Sequence, residues 1–406
     1  MTTSAADTSA APGALAGIRV LDLGLLVQGP QAAAALADLG AQVLKIELPG
    51  MGDHSRLIVL GEDDFRSAYF SACNRGKRSL TLDLRTPAGA AICKRLVEDT
   101  DVIISNFKPG TLHEWGLGYD DLSAINPGLI WAAGSAFGAQ GPDALREGAD
   151  LAGQCAGGLI STIGSDGQDP SPVGVTIADH IASQNLTIGV LAALMHRQQT
   201  GRGQKVEVSL LGGQIWAQAS EYSHLLMTGE VPGRANLAHP LIHGLYRLLP
   251  TADGWIGVIG VPPDARDQFF IALNCPELSV DSRFSGMLIA KEHLPALWEI
   301  IEKAMRTRTT EQWSELFREI GVRYAPVRDY REAAADPGAW ANGYFQKAPD
   351  LQGEHKKIVG NPINLSDSPT RPAGWAPTLG QHTDEVLTEL GYSAEEIAQW
   401  RKDGVV

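Results

Sequence analysis

Short apolar runs alternate with amphipathic stretches through the first half of the chain. Residues 18–23 read as a buried strand, and Pro30 then opens an alanine-rich helix that stops at Gly40, with proline just inside the start and glycine at the end. Residues 42–47 and 79–84 are the next apolar runs. Thr86-Pro87 supplies an N-cap and a first-turn proline for a helix reaching about Glu98. Runs at 101–105 and 129–133 continue the series. A long helix follows Asp179 and ends at Gly201-Arg202-Gly203-Gln204, after which residues 204–210 form a strand entering another helix. Ile188, Leu191 and Met195 recur on that long helix at helical spacing. Strands separated by helices predict parallel βαβ units, with ligand sites beyond the strands' C-terminal ends.

Residues 227–240 are rich in Gly and Pro and read as a linker. From Leu245 to about Arg331 the pattern changes to a short strand or hairpin at 254–258 and helices holding Trp298 and Trp313. Glu332-Ala333-Ala334-Ala335-Asp336-Pro337 reads as a helix stop. Turn-rich sequence resumes at Gly360, and Thr383-Asp384-Glu385 begins a last helix.

Composition narrows the classes. With 406 residues, 44% apolar and 20% charged, the chain is globular and long enough for two domains. A net charge of -14 argues against nucleic acid as a partner. Cys73, Cys93, Cys155 and Cys275 are far apart, which suggests no zinc site, no disulfide framework and a reduced cytoplasmic setting. The first 14 residues are Ala/Ser/Thr-rich without the marks of a signal peptide, and no apolar run approaches the ~20 residues that span a bilayer. The first strand leads into Gly24-Leu25-Leu26-Val27-Gln28-Gly29-Pro30, which lacks the dinucleotide-binding turn; no phosphate-loop, HExxH or GxSxG motif occurs.

Asp179, at a helix start after an apolar stretch, is either a helix cap or a carboxylate poised as a nucleophile. Asn74-Arg75-Gly76-Lys77-Arg78 places three bases before a strand, as a solvated turn or as a phosphate patch for a polyanionic ligand. Asn106-Phe107-Lys108-Pro109-Gly110 is a turn after a strand, or a ring and backbone packed on an extended ligand. Glu47, Asp53 and Arg56 follow the second strand and could shape the same crevice. Asp150 is a second carboxylate, a further helix cap in its simplest reading. His239 and His243 flank Pro240 near a domain junction, where they either pack or meet substrate.

These segments, in this order, resemble the class III CoA-transferases, the CaiB/BaiF family that includes formyl-CoA transferase. The resemblance runs from about Gly17 to the C-terminus. Its carriers include residues 17–22, 39–47 and 74–79, Asn106 to Gly110, Thr200-Gly201-Arg202-Gly203-Gln204 and Gly380-Gln381-His382-Thr383-Asp384-Glu385. It implies an α/β fold: a Rossmann-like large domain built from both chain ends plus a smaller α+β domain, in an interlocked homodimer. The divisions expected are a tail at 1–14, the large domain at 15–226 and 341–406, a linker at 227–244 and the small domain at 245–340.

The resemblance also implies that Asp179 is the catalytic aspartate, attacking an acyl-CoA to give a mixed anhydride and then an aspartyl-CoA thioester. Gln28 is the candidate for the active-site glutamine, although it directly precedes Gly29-Pro30 and Val27 holds the matching position. Arg75, Lys77, Arg78, Asn106, Phe107 and Lys108 would bind coenzyme A, a substrate rather than a resident cofactor. His239, His243 and Asp150 are candidates for substrate contact. Leu48 and Glu114 replace arginines of formyl-CoA transferase, and Asn236 to Gly244 replaces its Gly-rich loop, which argues against formate or oxalate. Ala149-Asp150 replaces the His-Asp pair of the α-methylacyl-CoA racemases, which favours transfer over racemisation. The alternatives are an acyl-CoA racemase or epimerase, and a non-catalytic CoA-binding protein with Asp179 as a cap.

Overall fold

Six apolar runs pair into one parallel sheet: β1 (Arg19–Asp22), β2 (Gln42–Glu47), β3 (Arg78–Thr81), β4 (Val102–Ser105), β5 (Ile130–Ser135) and β6 (Lys205–Ser209). Their order is β3-β2-β1-β4-β5-β6. The computed structural model describes residues 12–406 except 63, 243, 263, 286–288, 351 and 371–373. The central strands β1, β4 and β5 are apolar nearly throughout because both faces are covered, whereas edge strand β6 alternates Lys205, Val206, Glu207 and Val208 and is partly exposed. Val20, Val43 and Val102 pack on one face with helices Gln28–Asp38 and Ile177–Thr200. Their neighbours Leu21 and Ile103 turn to the other face, against helix Pro87–Val97 and the C-terminal residues Val386, Leu387, Val405 and Val406. Successive strands are added to one side of β1 up to β3 and to the other side from β4 on, and this switch point is where open parallel sheets bind ligands.

The long helix packs through one buried stripe, with Leu191 of the three spaced residues partly buried against it. Ala178, Ala182, Leu186, Val190 and Ala193 are buried, whereas Ile188 and Met195 are exposed. The approach is close: a Cβ on Gly189 would stand 2.6 Å from Val206 Cγ1. Gly189 lets helix and strand approach, while Leu186, Val190 and Leu194 stay buried in the same cluster.

The described chain divides into two compact units. Unit 1 comprises residues up to 158, 174–217 and 337–406; unit 2 comprises 159–173 and 218–336. Unit 2 carries an antiparallel sheet of β7 (Tyr246–Pro250), β8 (Trp255–Ile259) and β9 (Tyr324–Pro326) over a core that includes Phe269, Trp298, Trp313 and Phe317. Within it, Arg234 Nη1 donates to the carbonyls of Ile163 and Ser165 at 3.2 and 3.4 Å. Unit 1 also holds an antiparallel hairpin of β10 (Phe345–Pro349) and β11 (His355–Val359). No helix among the described residues is long and apolar enough to cross a membrane, and they hold no cluster of groups fit for a metal ion.

Candidate active site

Asp179 is not the cap of its helix. The helix begins at Ile177 after Thr176, whose side chain makes no capping bond, and Asp179 sits in the first turn. The capping oxygen comes from elsewhere in the chain. Asp150 Oδ1 accepts the N–H of Ala178 at 2.7 Å and that of Asp179 at 3.2 Å. Its other oxygen, Oδ2, accepts from Gln154 Nε2 at 2.6 Å, and the same Nε2 reaches Val175 O at 3.3 Å. Both Asp150 oxygens are therefore engaged. The half-buried Asp179 carboxyl accepts no hydrogen bond among the described residues. Burial, and then the charge of Asp150, push its pKa up to about 7. Next to it, burial lowers the pKa of His180 against the opposing pull of Asp150.

Gln28 opens helix Gln28–Asp38 and is buried. Its Nε2 donates to Ser135 O at 3.2 Å, and the amide lies flat on Gly134, where a Cβ would meet Oε1 at 2.4 Å. No hydrogen bond joins Gln28 to Asp179 among the described residues. Asn106 clasps the backbone of the loop after β1: Leu25 N donates to its Oδ1 at 2.7 Å and its Nδ2 donates to Leu25 O at 2.8 Å.

The three bases of the patch are engaged by acids within the fold. Lys77 is fully buried, and its ammonium donates to Asp22 Oδ2 at 2.7 Å, Pro30 O at 2.8 Å and Asn74 Oδ1 at 2.8 Å. Those are all the protons it has. Arg75 is buried against Asp38, with Nε 3.2 Å from Oδ1. Arg78 reaches Glu385 and Glu389 of helix Thr383–Glu389, each at 3.0 Å, and ties β3 to the C-terminal segment. Arg75 and Lys77 precede β3 and Arg78 begins it, and each has an acidic partner within the fold.

Phe107 and Lys108 do face a groove. It encloses about 360 Å³ along β5 and β6, from Trp131 and Lys205 to Ser135 and Val208, and is flanked by Phe107 and Lys108 from the turn after β4. Phe107 stacks edge-on with Trp115 at 5.3 Å, and the exposed Lys108 lies 3.4 Å from Glu147. His239 belongs to unit 2, where its Nε2 lies 3.0 Å from Glu221 Oε1 and Leu241 N donates to its Nδ1 at 3.2 Å. His243 lies outside the described residues.

The sequence offered Asp150 as a helix cap but not as the cap of the Asp179 helix, offered Asp53 only as a residue shaping the crevice, and gave no notice of Gln154 or of Asp22 as a buried acid. One signal was present: Lys45 in the middle of the apolar run at 42–47. A buried lysine needs an acid opposite it, and register places Asp22 beside Lys45 on neighbouring strands.

Comparison with known proteins agrees with the fold. The chain is 34% identical to a succinyl-CoA–D-citramalate CoA-transferase of Chloroflexus aurantiacus, over 97% of this chain and 98% of that protein. It is 34% identical to a succinate–glutarate CoA-transferase of Agrobacterium fabrum, over 93% and 95%. A crystal structure of a CaiB/BaiF family protein from Brucella suis superposes with a TM-score of 0.84 at 32% identity, covering 93% of this chain and all of that one. The family model for CoA-transferase family III matches residues 15–383, and the chain belongs to that family.

Proposed function

We propose that this chain moves coenzyme A from an acyl-CoA donor to a free carboxylic acid, with Asp179 as the nucleophile. The observation that carries the reading is a carboxyl that accepts no hydrogen bond among the described residues, in the first turn of a long helix whose amides are capped by a different acid. A carboxylate left without donors keeps its nucleophilicity, and a rigid helix holds it in place.

Asp179 attacks the thioester carbonyl, the C–S bond breaks, and CoA leaves as thiolate from a mixed anhydride. The thiolate then attacks the aspartyl carbonyl, releasing the donor acid and leaving an aspartyl-CoA thioester. The acceptor carboxylate repeats these steps in reverse and regenerates Asp179. Proximity supplies much of the rate, since effective molarities of well-placed groups reach ~10⁵ M or more. The groove bounded by Phe107 and Lys108 is the proposed seat of part of the CoA chain. The relatives' names bring dicarboxylic acids into the proposal, with succinyl-CoA as the first donor to try.

Two features count against the alternatives. Asp150 has both oxygens engaged and is preceded by Ala149, so a second base for racemisation is not at hand there. Asp179 does not cap its helix, so the capping role does not account for it. A cytoplasmic homodimer is part of the proposal, and the exposed Ile188 and Met195 are surface that a second copy could cover.

The test is to incubate the protein with succinyl-CoA and a panel of other acyl-CoAs, quench with hydroxylamine and map the modified peptide. A hydroxamate on Asp179, absent from Asp179→Asn, is the expected result. Transfer that persists in Asp179→Asn would overturn the reading.

A further inference from the structure

The loop between β1 and the helix at Gln28 is held on nearly every side by side chains. Gly24 N donates to Asp22 Oδ1 at 2.9 Å, Leu25 N to Asn106 Oδ1 at 2.7 Å and Leu26 N to Asp53 Oδ1 at 3.0 Å. The Lys45 ammonium donates to Gly24 O at 2.8 Å and lies 2.8 Å from Asp53 Oδ2. Lys77 closes the far end by donating to Pro30 O at 2.8 Å. Leu26 is left-handed at φ 63, a strained conformation for a leucine.

Lys45, Lys77, Asp22 and Asp53 have fully buried side chains. Asp22 Oδ2 is shared, 2.7 Å from Lys77 and 3.5 Å from Lys45. Two cations and two anions thus cancel. Buried ion frames of this kind are often no better for stability than apolar packing, and specifying a conformation is one role proposed for them. The conformation here is that of the loop at the switch point, where parallel sheets bind ligands.

We propose that Lys77 is a positioning residue: with Asp22 it fixes the β1 loop and the start of the helix carrying Gln28, and it is not a ligand for the phosphates of coenzyme A. Burial lowers the pKa of Lys77 to about 8 against the opposing pull of Asp22, and the neighbouring Lys45 charge lowers it further. The proposal rests on the reading that CoA uses this crevice, but its first readout needs no substrate.

The experiment compares wild type with Lys77→Met and with the charge-neutral pair Asp22→Asn/Lys77→Met, which serves if the single variant fails to fold. Amide hydrogen exchange of the peptide covering 22–31 is measured without ligand. Binding of CoA and dephospho-CoA, and kcat with succinyl-CoA, follow. Expected in either variant are exchange at Leu25 and Leu26 at least tenfold faster, kcat reduced at least tenfold, and a CoA to dephospho-CoA affinity ratio within twofold of wild type. Unchanged exchange or unchanged kcat in the variants overturns the proposal. So does a tenfold loss of CoA affinity that dephospho-CoA escapes, because that marks a phosphate ligand. Wild-type loop exchange in the double variant also overturns it, since Lys77 would then only neutralise Asp22. If wild-type protein binds no CoA, the transferase reading fails while the exchange result still stands or falls by itself.

Discussion

A carboxyl group with its pKa near 7 sets its own working range. Asp179 below that pH is protonated and no longer a nucleophile, so attack on the thioester should weaken tenfold per pH unit under about 7 and level off above it. Asp150→Asn keeps an oxygen for the amides of Ala178 and Asp179 but removes the nearest negative charge. The acid limb of the pH–rate profile should then move to lower pH while staying above the ordinary carboxylate range, because burial is the larger cause. A limb that stays in place would remove the Asp150 charge from the account.

Stability should carry the opposite sign. The folded pKa is raised, so the folded state holds the proton more tightly, and ionisation costs stability as pH rises from about 4 to 7. Asp179→Asn escapes that cost. It should be more stable than wild type by about 1–2 kcal/mol at pH 8 after allowance for solvent screening, and by less at pH 5, as read from urea unfolding at the two pH values.

Elements deliver these groups to each other. Gly153 lies where helix Asp150–Ala156 crosses the long helix, and a Cβ there would stand 2.7 Å from Leu210 Cβ and 2.9 Å from Ala178 Cβ. Gly153→Ala should force the helices apart, draw Asp150 from the amides it caps, lower kcat about tenfold and cost about 1–3 kcal/mol. Steady-state kinetics with urea unfolding would check both. This crossing was not legible in the sequence, because Asp150 and Asp179 meet only through tertiary packing. What was legible is what burial writes locally. The runs at 18–23, 42–47, 101–105 and 129–133 became β1, β2, β4 and β5 because a strand covered on both faces must be apolar almost throughout. Hairpin β10–β11, with Lys347, Lys356 and Lys357, is half-exposed and carries no such signal. The bases around Lys77 read as a solvated turn or a phosphate patch because their partners Asp22, Asp38 and Glu385 lie far away in sequence.

Each unit has apolar packing of its own, on both faces of the sheet in unit 1 and around aromatic rings in unit 2. Trp313 is buried against Phe317, with ring centroids 5.4 Å apart, and its Nε1 donates to Met305 O at 2.7 Å. Trp313→Ala should cost about 3–5 kcal/mol, concentrated in unit 2. Denaturant unfolding followed by hydrogen exchange should show amides of 246–326 opening earlier while those of β1 to β6 keep their protection; uniform loss would mean that the two units melt as one.

The bonds that close β3 carry a consequence for synthesis on the ribosome. His382 N donates to Ser79 O, Ser79 N donates back to His382 Nδ1 at 3.0 Å, and Asp83 N donates to Val405 O at 2.8 Å. The segment that seals this edge is therefore translated more than 300 residues after the strand it seals. Translation proceeds at about 5–20 residues per second, so the nascent sheet waits tens of seconds with its edge unsealed. During that interval Leu80 and Leu82 lack their final cover, and an uncovered edge strand invites pairing with other chains. Unit 2, whose last residue is 336, is complete before that cover is translated. The newborn chain should therefore call on a chaperone in the window between the emergence of β3 and that of residue 405.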